Sequence, residues 1–430
     1  MKIAVVGLWH LGCVTAACLA KAGFDVIAYD ADQAVINHLN QGKAPLFEPE
    51  LDELLAHGIA SGKLTGIFHP EMLNQADIVW INYDTPVDEN DVADVKSVTD
   101  EVKKLFPHFK SNTLMIISSQ LPVGSTRKLQ QYCKEHFPEK EITFAYSPEN
   151  LRLGKAISVF MQPGRVVVGL QSEQDKIRVQ TVLQPFTNHI VWMSLESAEM
   201  TKHALNAFLA TSVVFINELA TLCEKVGADA REVEQGLKTE ERIGAKAYLK
   251  PGNAIAGGTL ARDVNFLMQI GEENKQKTPL FSALLESNQA HKYWSSQRLL
   301  DVFSDLKGRV IVALGLTYKA GTDTLRRSTA VELCVWLKAQ GAKVMAYDPA
   351  VKTLPDSLAT IIDLKTSLVE AITGADALVV ATEWPQFLSL MPDQIADLTT
   401  APHIFDANGF LMKSLGHDKR IRYHSVGKTA

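Results

Sequence analysis

The sequence predicts an α/β protein made of two Rossmann-like doubly wound domains joined by a long central helical region. Three observations predict it. The chain opens with a strand, a tight turn, a helix and a second strand ending in an acid, and the same grammar begins again after Gly308. Between the two, Ser197–Gly227 carries apolar side chains at helical spacing with neither proline nor internal glycine. On this reading residues 1–193 form the first domain, 194–300 the helical middle and 301–430 the second domain.

Each element follows from its residues. KIAVVGL is a β-branched run ending in glycine, LGCVTAACLAKAG is a small-residue helix closed by Gly23, and DVIAYD is a strand ending in Asp30. ADIVWINYDTP, TLMIISSQLP and ITFAYSP supply further strands with helical patterns between them, which implies a mostly parallel sheet. After Gly308, RVIVALGL, TAVELCVWLKAQG and AKVMAYDP repeat strand, helix and strand; ADALVVATEW and HIFDANG add two more strands. The tail from Ser414 is basic and polar and reads as a surface segment.

Composition narrows the function. The 430 residues hold 43 Lys plus Arg against 49 Asp plus Glu, a net charge of −6, which argues against a phosphate-binding nucleic-acid surface. No run approaches the roughly 18 consecutive apolar residues of a membrane helix, so no membrane association is expected. The N-terminal apolar stretch lacks a basic leader and a small-residue cleavage site and reads as a strand. Five cysteines, odd in number and without a CxxC, point away from disulfides and zinc; no metal is expected, and a reducing cytoplasm is the simplest home.

Gly7-Leu8-Trp9-His10-Leu11-Gly12 stands where a phosphate loop belongs. Gly7 permits the tight turn and Gly12 the close helix packing, while Trp9 fills the position where glycine normally lets backbone meet pyrophosphate. Asp30 can bond a ribose diol, which favours NAD over NADP. The other reading is a purely structural Rossmann unit whose loop Trp9 blocks.

The remaining motifs run in a long ordered series. They are INHLNQGKAPLFEPELDELL, DTPVDEN, LPVGST, SPENLRLGKA, AEMTKHALNAFLA with FINELA, RIGAKAYLKPGNAIAGGTLARDV, LKGRVIVALGLTYKAGTDTLRRS, AYDP and ATEWPQF. Together they resemble the UDP-glucose/GDP-mannose dehydrogenase family over nearly the whole chain. The resemblance implies an NAD-dependent homodimeric enzyme with a cofactor domain, a helical dimerising middle and a C-terminal nucleotide-sugar domain. It implies oxidation of the C6 alcohol of a nucleotide sugar, a UDP-sugar before others, to a carboxylate in two hydride transfers.

It also assigns residues. Lys202 and Asn206, four apart on one helix face, match an oxyanion cradle. Glu149 matches a base acting on water, and Asp263 a carboxylate that orients it. On the cofactor side stand Gly7, Trp9, His10, Leu11, Gly12, Asp30, Thr85, Gln120 and Arg326; on the substrate side Leu151, Arg242, Tyr248, Lys319 and Gly257 of the loop Gly252–Gly258. Taken singly these residues have plain readings: Lys202 as a solvated helix charge, Glu149 as a capping acid, Asp263 as a partner for Arg262, Lys319 and Arg326 as surface charge.

The sequence departs from the family pattern at its centre. The family nucleophile is a cysteine, and Thr259 stands in its place. Gln120 replaces a threonine, Leu153 a second glutamate, Ser118 a lysine, and Asp406-Ala407-Asn408 an Asp-x-Arg motif. A thiol titrates near ~8.5 and an alkyl hydroxyl far higher, so the covalent route through a thioester is in question. Three readings follow: acid formation through a hydrated aldehyde, a single redox step as in an aldehyde-forming enzyme or an epimerase, or a catalytically quiet nucleotide-sugar binder.

Overall fold

A computed structural model describes residues 1–88, 93–149, 151–255 and 258–428. The chain divides into two compact units, Met1–Leu205 and Asn206–Ala430. The division falls inside one helix, Leu195–Val226.

The first unit is built on an eight-stranded sheet of order β3-β2-β1-β4-β5-β6-β7-β8. Its strands are β1 Lys2–Val6, β2 Asp25–Tyr29, β3 Leu64–Ile67, β4 Ile78–Ile81, β5 Leu114–Ile117, β6 Thr143–Tyr146, β7 Val166–Gly169 and β8 Ile190–Met193. Neighbours pair parallel, apart from β7 against β6. A parallel sheet covered on both faces explains why these strands read as unbroken apolar runs. Ile3 and Val5 enter the core on one face, Ala4 and Val6 that on the other. The first helix, His10–Lys21, packs closely because Cys13, Ala16, Ala17 and Ala20 are small and buried.

The second unit carries a six-stranded, wholly parallel sheet of order β11-β10-β9-β12-β13-β14. The strands are β9 Val310–Leu314, β10 Lys343–Tyr347, β11 Ile362–Leu364, β12 Ala377–Val380, β13 His403–Phe405 and β14 Arg422–His424. Both sheets thus share the 3-2-1-4-5-6 strand order of the dinucleotide-binding fold, the first extended by two strands.

One expectation needs correction. The tail after Ser414 is no mere surface segment: β14 completes the second sheet, and His424, Ser425 and Val426 are buried. Helix Leu195–Val226 has an 18-residue window of mean hydropathy 1.5, long and apolar enough to cross a membrane by composition, which counting consecutive apolar residues overlooks. Its polar residues Asn206, Asn217 and Glu224 are nonetheless buried within the second unit. The outer side of that stretch shows Phe208, Phe215 and Leu222, each seven residues from the last, followed by Val226, all exposed.

Candidate active site

The phosphate loop follows β1. Gly7 has φ 86°, and a Cβ there would stand 2.7 Å from the Tyr83 ring. A Cβ on Gly12 would come within 1.8 Å of the Gly7 carbonyl oxygen. Trp9 sits in ordinary backbone at φ −81°, preceding the helix, with its side chain about half exposed. Among the described residues no side chain caps that helix start, which leaves its first N–H groups open to an anion such as a dinucleotide pyrophosphate. Asp30, at the end of β2, accepts from the Leu8 amide at 2.9 Å and the Asp32 amide at 3.0 Å while remaining partly open to solvent. Thr85 and Gln120 are buried neighbours, the Thr85 hydroxyl donating to the Gln120 carbonyl at 2.7 Å. Leu11 and Leu151 are half-buried, and Leu151 packs on the core.

The next constellation lies beyond β5 and β6. Lys202 is 5% exposed, which removes its reading as a solvated helix charge. Its ammonium donates to the Glu149 carbonyl at 2.6 Å and to the carboxylate at 3.3 Å. Glu149 in turn accepts from the Leu151 amide at 2.8 Å. One turn earlier on the same helix, the buried Glu199 accepts from the Thr126 amide at 2.9 Å and the Thr126 hydroxyl at 2.7 Å. His203 shares a hydrogen bond of 3.1 Å with the Leu121 carbonyl. Burial pushes the Glu199 carboxyl above its usual range despite these donors. The first turns of the long helix therefore hold both loops.

In the second unit the Asn206 amide donates to the fully buried carboxylate of Asp263. Lys202 and Asn206 are thus each joined to a carboxylate, one in each unit. Thr259 opens helix Thr259–Glu273, exposed, one turn before Asp263. Tyr248, Lys319 and Arg326 are exposed, as is Arg242, which pairs with Glu240 at 2.8 Å. Gly257 lies outside the described residues. The loop that precedes it is pinned: the Gly252 amide donates to Asn217 at 2.9 Å, the Asn253 amide to Asn408 at 2.7 Å, and the Ile255 amide to Asn288 at 2.8 Å.

The acid that ends β10 behaves unlike Asp30. Asp348 is 1% exposed and accepts from the Leu316 and Thr317 amides, the Thr317 hydroxyl and the Trp384 indole. It is occupied by the segments that follow β9 and β12. Of these two strand-ending acids, Asp30 is the one partly open to solvent.

Sequence reasoning missed Glu48, Glu199, His203 and Asn217, and marked Asn408 only as part of a departure from the family pattern. A signal existed for two of them: Glu199, Lys202, His203 and Asn206 form a polar face in an otherwise apolar helix.

Sheet order, phosphate loop and strand-ending acid are those of a dinucleotide-binding protein. Models of the UDP-glucose/GDP-mannose dehydrogenase family match its NAD binding domain at residues 1–187, its central domain at 196–290 and its UDP binding domain at 312–413, and the chain belongs to this family. It is similar to the UDP-glucose 6-dehydrogenase YwqF of Bacillus subtilis, 32% identical over 433 residues, 100% of this chain and 98% of that one. It is 34% identical over 446 residues to the UDP-glucose 6-dehydrogenase of Rickettsia typhi, covering 99% of both. Among solved structures, a UDP-glucose dehydrogenase from Pyrobaculum islandicum aligns with TM-score 0.86 at 25% identity, over 99% of this chain and 98% of that one. A UDP-D-ManNAc dehydrogenase from Pyrococcus horikoshii aligns with TM-score 0.85 at 25% identity over 99% of each. NAD is the cofactor, and Gly7, Gly12, the uncapped helix start and Asp30 fit it.

Proposed function

We propose that the enzyme oxidises the C6 hydroxyl of a nucleotide sugar, most simply UDP-glucose, to the uronic acid without a cysteine adduct. The observation that carries this reading is the buried Lys202 ammonium held on Glu149. NAD, when bound, would supply the hydride acceptor for both oxidations. Lys202 stabilises the oxygen as it loses its proton, in a setting dry enough for one positive charge to count. The family resemblance gives Asn206, steadied by Asp263, an oxyanion-donor role as well. Glu149 takes the proton and later activates water, so that the aldehyde becomes a gem-diol with its own hydride to give. Thr259 stands at the family's nucleophile position, and its hydroxyl is too weak an acid to replace a thiolate. Arg326, Thr85 and Gln120 serve the cofactor; Leu151, Arg242, Tyr248, Gly257 and Lys319 serve the sugar nucleotide.

The test is a count of NADH per sugar consumed. Two supports acid formation. One supports the second reading, an aldehyde-forming step, which Leu153 favours because it is exposed and apolar where the family pattern has a carboxylate. None, with binding intact, points to an epimerase or a quiet binder.

The three-part division at residues 193 and 300 belongs to the same proposal, as does a homodimer. The exposed stripe Phe208, Phe215, Leu222 and Val226 supports self-association, because helix faces with seven-residue apolar spacing bury well against a second copy. The five buried, unbridged cysteines support a cytoplasmic home.

A further inference from the structure

We infer that Glu48 is a positioning residue for the reaction, its buried carboxylate coupling the cofactor loop to the loop that bears Glu149. The inference rests on the proposed role of Glu149.

Glu48 lies between helices Gln33–Asn40 and Leu51–Ala60 and is 4% exposed. A carboxylate so placed must find donors, because an uncompensated buried charge is strongly unfavourable. It finds three, all far away in sequence. Oε2 meets His10 Nε2 at 2.9 Å and accepts from the Gly154 amide at 2.8 Å; Oε1 accepts from the Ala156 amide at 2.8 Å. Burial alone would raise its pKa, yet the Gly154 amide, His10 and the Ala156 amide together hold it below the usual carboxylate range. The charge is kept.

The partners show what the charge is for. None belongs to a strand of the sheet. His10 opens the first helix directly after Trp9, where the phosphate loop ends. Gly154 and Ala156 follow Glu149, whose own carboxylate already holds the Leu151 amide and whose carbonyl receives Lys202. The Glu149 segment is therefore restrained from both sides, and its far restraint shares one oxygen atom with a phosphate-loop side chain. A cofactor that orders His10 must steady Gly154 through that atom. Glu48 touches neither reactant; it acts through His10 and the backbone.

The test uses the full chain with NAD alone, then with NAD and UDP-glucose. In the wild type, NAD should slow amide hydrogen exchange at Gly154 and Ala156 several-fold. In Glu48→Gln, which keeps the shape but presents one acceptor to three donors, saturating NAD should bring no such protection. Its kcat should fall by about ten- to a hundredfold, the scale expected for a misplaced reacting group, with KM for the sugar nucleotide little changed. Glu48→Asp, which keeps the charge on a shorter arm, should restore part of both; it stands in should the glutamine variant fail to fold. Equal NAD-induced protection in wild type and variant, or unchanged kcat beside lost protection, overturns the inference. The exchange measurement needs no turnover. A wild type that shows the linked protection yet forms no NADH with sugar would therefore count against the proposed chemistry and not against the coupling.

Discussion

Glu224, near the end of the long helix, accepts a hydrogen bond of 2.9 Å from the backbone amide of Gly427, 203 residues later in the chain. The same oxygen receives the Trp294 indole at 2.9 Å, and the Gly427 carbonyl accepts from the Ala230 amide at 2.8 Å. Two distant segments of the second unit close on one carboxylate. Glu224→Ala leaves buried donors unanswered and should cost about 2–3 kcal/mol, read by urea unfolding. Gly427→Ala should also destabilise, since its φ of 81° and a Cβ 2.3 Å from that of Ala230 both oppose a side chain. Unchanged midpoints in both would refute this account of the tail.

Gly12→Ala should abolish NAD binding while leaving the second unit folded. The added methyl would strike the Gly7 carbonyl at 1.8 Å, so the phosphate loop must open. Calorimetric titration with NAD is the measurement, and wild-type affinity would show that the loop adapts.

Lys202→Met removes the ammonium but keeps the packing stem. Turnover should fall by about a hundred- to a thousandfold, as when a preorganised oxyanion donor is lost. Glu149→Gln should lose turnover too. Because the two side chains touch, the double variant should lose less than the product of the single losses.

Thr259→Cys puts a thiol on the first turn of a helix, where the helix dipole lowers thiol pKa. It should raise the yield of acid per sugar on a substrate already shown to bind. No gain there would mean that the pocket has moved too far from the family's covalent route to recover it.

His424 is buried, stacked on Phe405, and shares a hydrogen bond of 3.1 Å with His403. Burial first, then His403, Arg298 and Arg422, pushes its pKa down to about 4, and His403 is lowered as well. The folded state thus holds fewer protons than the unfolded chain between about pH 4 and 6.5. Stability is full above that window and is lost as pH falls through it, by up to about 3 kcal/mol for His424 at its lower end. Urea midpoints at pH 7, 6 and 5 should fall in that order, and His424→Phe should flatten the slope.

Much of this architecture is legible from local chemistry. Strands covered on both faces read as apolar runs, and the Gly7, Gly12 and Asp30 spacing marks the phosphate loop because sterics admit little else there. The helix face of Lys202 and Asn206 follows from its period. What local pattern could not reveal is set by long-range contact. Glu48 reaches residues more than a hundred positions away, and Asn408 finds Asn253 across 155. β14 is three residues long and flanked by polar text, so its place in the sheet comes from its neighbour β13 rather than from its own composition.

The two units repeat one blueprint yet leave its terminal acid in different surroundings. In the first, Asp30 holds the Leu8 amide yet stays partly open to solvent; in the second, Asp348 holds the matching Leu316 amide and is closed over by the Thr317 hydroxyl and the Trp384 indole. Retooling the second half to grip a dinucleotide would thus take more than an inserted glycine: freeing Asp348 would unfasten the very bend that any new visitor would have to stand on.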